Sequence, residues 1–369
     1  MRFVMRKSMF LSVVLVILVA WTISTAQEGD SEVSSASQDA VGAKKFDPNE
    51  QKKKVFRTPR IKPTGVAVKF KHQGFDRHYR IHVPKSLDEK TLAPLVLCLH
   101  GGGGNSEQGS VMGMTPLADE QGFIVVYPNG LNGHWNDGRK SKVHQEQDKH
   151  VDDVGFLMSI VEQVKKKHNV DAKQIFATGV SNGGFMTQRL AMEQSETFSA
   201  VGIIVASMGL AIEDSFDPEF PVSVLFMNGT ADPAVPYDGG RLTLDLFPRL
   251  RKLRGMPLED RGSCISTDAA VKHWVDRNGI KSKPVVSTFE DVDKSDSSSV
   301  ELSLWKGGER STAVALYKVI GGGHGIPGRP QRMERIAGKY NQDIDAWQKI
   351  WEFFQTHRRD SRKLQTKIK

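Results

Sequence analysis

No other part of the chain limits its architecture as tightly as Gln174–Met192, which reads QIFATGVSNGGFMTQRLAM. A short apolar run, Ile175 to Thr178, leads into Gly179-Val180-Ser181-Asn182-Gly183-Gly184. Apolar residues at helical spacing, Phe185, Met186, Leu190 and Met192, follow at once. Strand, tight turn and helix in that order are the setting a Gly-x-Ser-x-Gly turn needs to project a reactive serine. Gly179 and Gly183 lack a Cβ, so strand and helix can close around a serine held in a strained conformation. Ser181 then sits at a helix N-terminus, whose unpaired N–H groups favour negative charge. The expectation is an α/β fold built to carry a nucleophilic serine.

The flanking pattern agrees. Val66, Val68 and Phe70 alternate with other residues, as do Tyr79, Ile81 and Val83, and Gln73-Gly74 supplies a turn between them. That reads as an antiparallel N-terminal hairpin. Pro94–Leu99, Phe123–Tyr127, Ala200–Ala206 and Val222–Met227 are apolar on both faces, as strands covered on both sides must be. Helical spacing follows Asp152-Asp153, where either aspartate can cap, and also begins at Thr267 and at Ile344. Late strands are expected at 285–289, 300–304 and 314–320. The fold class is therefore α/β, a mostly parallel doubly wound sheet with an antiparallel N-terminal hairpin.

The ends differ from this middle. Arg2, Arg6 and Lys7 precede an apolar run from Met9 to Ile23, and Ser24-Thr25-Ala26 offers a small-residue cleavage site. Residues 1–26 read as a signal peptide, which places the protein outside the cytoplasm, secreted or periplasmic. The segment 27–63, rich in Ser, Asp, Glu, Lys and Gln, reads as a disordered linker. The catalytic domain is expected over 64–357, and 358–369 as a basic tail. The net charge is +8, with three of the positive charges in the signal segment and many others in the two tails. Solvated termini account for that charge without a nucleic-acid partner. Contact with a membrane is expected only through the signal segment before its removal. Two cysteines, Cys98 and Cys264, make no disulfide framework, and whether they pair is open, as is the oligomeric state.

A serine hydroxyl needs a base to take its proton and the base needs an orienting acid. In chains of this architecture the order is Ser, acid, His. Asp232 lies just past the strand 222–227, at the sheet edge where ligands bind, while Asp238 stands further into the same loop. Of the later histidines, His273 lies within a helix and His357 near the tail. His324 follows a strand directly, in Gly321-Gly322-Gly323-His324-Gly325-Ile326-Pro327-Gly328. The catalytic set is thus Ser181, Asp232 and His324. The oxyanion formed during acyl transfer needs two N–H donors. Asn182, next to the nucleophile, supplies one. Gly102, in His100-Gly101-Gly102-Gly103-Gly104-Asn105, supplies the other, with Gly101 and Gly103 as rivals.

These pieces together resemble the polyhydroxybutyrate depolymerase and feruloyl esterase family of exported α/β hydrolases. The matching segments are LHGGGGN (99–105), HWNDG (134–138), VDDVGFL (151–157), GVSNGGFMT (179–187), GTADPAVPYDGG (229–240) and GGGHGIPG (321–328). The resemblance implies a serine carboxylic ester hydrolase acting on polymer-linked or plant-cell-wall esters of feruloyl, acetyl-xylan or polyhydroxyalkanoate type. It implies the same Ser181, Asp232 and His324, with no cofactor and no metal. Two departures stand out. Asn228 occupies a position commonly His, and Gly325-Ile326 replace the aromatic that commonly follows the catalytic histidine. With that aromatic gone, Trp135 and its neighbour Asn136 are the expected substrate-binding residues, and Trp305 could stack on a sugar or equally lie in the core. Two alternatives remain: a serine peptidase of the prolyl oligopeptidase type, and a non-catalytic polymer-binding protein on the same fold.

Overall fold

The computed structural model describes residues 62–88, 90–111, 113–242, 259–329 and 337–359. The expected signal peptide, nearly all of the expected linker, most of the expected basic tail and residues 243–258 lie outside them. Arg359, assigned to the tail by sequence, is bonded to the body of the fold: its side chain donates to the Ser195 and Phe198 carbonyls at 2.7 and 3.0 Å.

Twelve strands occur among the described residues: β1 (Val66–His72), β2 (Phe75–His82), β3 (Ala93–Leu99), β4 (Ile124–Pro128), β5 (Val170–Val180), β6 (Ala200–Ile204), β7 (Ser223–Gly229), β8 (Gly240–Arg241), β9 (Ser263–Cys264), β10 (Val285–Thr288), β11 (Ser299–Trp305) and β12 (Val314–Ile320). Ten form one sheet in the order β1-β2-β4-β3-β5-β6-β7-β12-β11-β10, while β8 and β9 pair apart from it. The six central strands, β4 to β12, are parallel. Antiparallel strands close both ends. The expected opening hairpin is there, and the far end has the same character.

Helices alternate with the parallel strands, as parallel crossovers require. They are α1 (Ser106–Val111), α2 (Met114–Gln121), α3 (Gln145–Asp148), α4 (Asp153–Lys167), α5 (Asn182–Glu193), α6 (Leu210–Glu213), α7 (Thr267–Arg277) and α8 (Ala346–Thr356). Side chains of β3 divide between the two faces with a period of two. Leu95, Leu97 and Leu99 join Phe156, Leu157, Phe185 and Trp274 in a core beneath α4, α5 and α7. Val96 and Cys98 join Leu117, Trp347, Trp351 and Phe354 beneath α2 and α8 on the other face. Cys264 belongs to the first core, so the two free thiols lie on opposite sides of the sheet. Burial pushes both up to about 12.

The strand before Ser181 begins five residues earlier than its apolar run suggests. Val170 pairs with Ala93, then the register shifts before Leu95 meets Ile175. The polar stretch Asp171–Gln174 covers that irregularity, and no hydrophobic period marks it. Asp152, not Asp153, caps α4, accepting the Gly155 N–H at 2.7 Å. Asp153 is buried in an ion pair with Arg77 at 2.6 Å and accepts the Asn136 N–H at 2.8 Å. Burial raises its pKa against the opposing pull of Arg77.

Candidate active site

The turn between β5 and α5 sets the geometry. Ser181 has φ 55° and ψ −121°, a left-handed conformation costly for a residue with a Cβ. It is held there from both sides: the Ser181 N–H donates to Ile204 O at 2.9 Å, and Ser181 O accepts from Phe185 N–H at 2.9 Å. The glycines around it are required by contact. A methyl at Gly183 would lie 2.5 Å from the carbonyl oxygens of Leu99 and His100, and one at Gly179 would lie 2.3 Å from Gly183 O.

Asp232 and His324 arrive from two other strand tips. Asp232 follows β7; its Oδ1 accepts the N–H groups of Ala234 and Val235 at 2.8 and 2.9 Å. That turn leaves Oδ2 for the imidazole. His324 follows β12, and its own N–H donates to Ala337 O at 2.5 Å while Gly323 N–H donates to Lys339 O at 2.6 Å. The His324 Nδ1–H donates to Asp232 Oδ2 at 2.7 Å, and Nε2 stands 3.0 Å from Ser181 Oγ. With Nδ1 carrying the proton, Nε2 is the acceptor for the serine hydroxyl. The three residues assembled from sequence, 92 and 143 positions apart, meet at one edge of the sheet. Asp238, the rival acid, is exposed in the next turn.

The glycine loop after β3 resolves less simply. Gly103 N–H donates to Gly133 O at 2.8 Å and Gly104 N–H to Gly101 O at 3.0 Å, so those two donors are committed. Gly101 and Gly102 lie against the turn: Cβ atoms added to them would stand 3.6 Å from Ser181 Cβ and 3.7 Å from Asn182 Cβ. Asn182 opens α5, where its N–H has no acceptor one turn back. His100 fixes the loop from below. Its Nδ1–H donates to Gly101 O at 2.8 Å and its Nε2 accepts Gly130 N–H at 2.9 Å. Both bonds need a neutral ring, and burial holds its pKa down at about 4.

Of the two expected substrate-binding residues, Trp135 is corrected. Trp135 is 0% exposed and cannot stack on a substrate; its indole N–H donates to His100 O at 2.9 Å and its ring packs 4.9 Å from the His100 ring. The Asn136 amide donates to Asp148 O and Val151 O at 2.8 and 3.1 Å, which commits its N–H groups and leaves only its side-chain carbonyl to meet a ligand. Both residues brace the glycine loop and the α4 cap. Trp305 packs against the core. Asn228, the departure in the acid loop, is also structural, donating to Ala206 O and Thr267 Oγ1 at 2.8 and 2.9 Å. Sequence reasoning passed over His100 and Asp137, since a polar residue in a glycine-rich or irregular loop has no periodic signature of burial.

Feruloyl esterase C of Emericella nidulans is 30% identical to the chain over 202 residues, which cover 52% of this chain and 70% of that one. The chain belongs to an α/β-hydrolase esterase family. "Probable feruloyl esterase C" of Aspergillus niger is 31% identical over 175 residues, 46% of this chain and 60% of that one. The chain spans 56% and 60% of the first curated relatives it matches. A model of the family described as "Prolyl oligopeptidase family" matches residues 110–218, which hold Ser181 but neither Asp232 nor His324. Among solved structures, an acetyl xylan esterase from Aspergillus awamori superposes over 79% of this chain and 100% of that one, with a TM-score of 0.50 at 15% identity. That likeness speaks to the fold alone.

Proposed function

We propose that the chain is a serine carboxylic ester hydrolase in which Ser181 is the nucleophile, His324 the base and Asp232 the orienting acid. The observation that carries this is the continuous hydrogen-bonded chain from Ser181 Oγ through the imidazole to Asp232, at 3.0 and 2.7 Å. Ser181 Oγ bonds to the ester carbonyl carbon while its proton passes to His324 Nε2. The tetrahedral oxyanion is held by the N–H groups of Asn182 and Gly102, the latter now rivalled only by Gly101. Collapse breaks the bond to the leaving alcohol, which takes the proton from His324. Water then attacks the acyl-serine, His324 again accepting and returning the proton, and the carboxylic acid leaves.

The substrate reading is an ester of polymer or cell-wall origin. Relatives named feruloyl esterase and bifunctional acetylxylan esterase/xylanase support it. Export directed by residues 1–26, with their removal, would bring the enzyme to such a substrate outside the cytoplasm. The prolyl oligopeptidase family match favours a peptidase as second reading.

Turnover of p-nitrophenyl acetate, methyl ferulate, acetylated xylan, a hydroxybutyrate oligomer and a prolyl p-nitroanilide decides among these. Ester cleavage is expected, with Ser181→Ala lowering kcat by about 10⁴-fold or more. A fluorophosphonate probe should label Ser181. Absence of labelling on folded protein would favour a binder, and cleavage of the anilide alone would favour the peptidase.

A further inference from the structure

The segment after Trp135 holds a buried carboxylate that the proposed chemistry does not use. Asp137 is 2% exposed, and its Oδ2 accepts from two donors, the Asn182 side-chain amide and Arg139 Nε at 2.7 Å. Its Oδ1 accepts the Arg139 N–H at 3.2 Å. The rest of the Asn182 amide is equally bound. Asn182 Oδ1 accepts Trp135 N–H at 2.9 Å, and Asn182 Nδ2 also donates to Trp135 O at 3.0 Å. Both N–H bonds of Nδ2 are therefore used, one on a charged acceptor.

Asn182 follows Ser181, whose φ of 55° and ψ of −121° store strain. The natural relaxation is rotation of the peptide between residues 181 and 182. That peptide carries the Asn182 N–H, so the same rotation would turn the oxyanion donor away. We propose that Asp137 is a positioning residue that locks this peptide by holding the Asn182 side chain. Arg139 bonds to the carboxylate and aims it, its guanidinium seated 4.6 Å over the Phe185 ring on the first turn of α5. The inference rests on the esterase reading, since a donor needs positioning only where an oxyanion forms.

Asp137→Asn is close to isosteric and removes the charge while leaving one acceptor. Misplacement of a reacting group by about 1 Å costs about 10²-fold. The expectation is a 10- to 100-fold fall in kcat on p-nitrophenyl acetate with KM unchanged. Fluorophosphonate inactivation, whose phosphoryl oxygen takes the same donors, should slow in parallel. Asn182→Asp sets two carboxylates together and should be as impaired; the double exchange Asp137→Asn/Asn182→Asp restores an amide–carboxylate pair and should recover part of kcat. Should Asp137→Asn not fold, Arg139→Lys, which moves the supporting charge without touching the Asp137–Asn182 bond, should give a smaller fall in kcat at constant KM. Folded Asp137→Asn with unchanged kcat and inactivation rate would overturn the proposal, as would a loss confined to KM. Failure of the unmutated protein to cleave any ester or take up the probe strikes the esterase reading instead.

Discussion

Ser181 and His324 face each other across 3.0 Å, yet the two sides of that contact are held in different ways. On the nucleophile side, backbone packs on backbone. Gly183 fits against the Leu99 and His100 carbonyls, and Ser181 is pinned between β6 and α5. Such a device has no slack, so an added methyl must move a strand or a helix. On the acid–base side, two loops are joined by hydrogen bonds. Asp232 sits in its own turn and His324 is tied to the stretch 337–339. The first side stores strain, and the second chooses a tautomer and a direction. Added bulk at the packed glycines of the nucleophile side should therefore fall on folding, and changes on the acid–base side on turnover.

The largest expected effect tests the second half of that contrast. Asp232→Asn keeps an acceptor for the Ala234 and Val235 N–H groups but places an amide donor before His324 Nδ1, favouring the wrong tautomer. We expect kcat to fall by about 10⁴-fold, roughly 5 kcal/mol in the barrier, with little change in melting temperature. A large drop in melting temperature would break the contrast. Gly183→Ala tests the first half. Overpacking against two backbone carbonyls should cost about 3–4 kcal/mol, seen in denaturant melts or as insoluble protein. Gly102→Ala, whose added carbon meets nothing closer than 3.7 Å, should leave the melts nearly unchanged. Equal stability in both would remove the packing argument.

The smallest effect concerns the glycine loop that flanks the Ser181 turn. His100 is held near 4 in the fold, against about 6.5 when unfolded. Between those values the unfolded chain binds a proton that the folded one refuses. The stability tied to His100 is thus complete above pH 6.5 and lost as pH falls toward 4, about 3 kcal/mol in all. His144, also held at about 4 by burial and by the stacked His134 ring, adds in the same sense. Denaturant melts across this range should show a shallower slope for His100→Gln than for the unmutated protein.

Local pattern carried far in this chain. Two-residue alternation marked the hairpin, doubly apolar runs marked β3, β4, β6 and β7, and Gly-x-Ser-x-Gly between strand and helix marked Ser181. The glycine-framed His324 and the Asp after β7 were legible because ligand-facing loops at strand tips announce themselves by composition. What stayed hidden depends on segments distant in sequence. Trp135 reads as an exposed aromatic in a polar loop, and only the close approach of Asn182, 47 residues on, shows it enclosed.

By itself the sequence determined the kind and order of elements, because periodicity records which side of each element meets apolar neighbours. It also determined the strained turn at Ser181, because only glycine tolerates the contacts around it. The tertiary structure decided which amides are spent and which are free, with Gly103 bound to Gly133 and the Asn182 side chain bound to Asp137. It also put Cys98 and Cys264 on opposite sides of the sheet. Hydrogen-bond saturation and burial of a loop belong to pairs of segments, and no single stretch of residues contains both members of a pair.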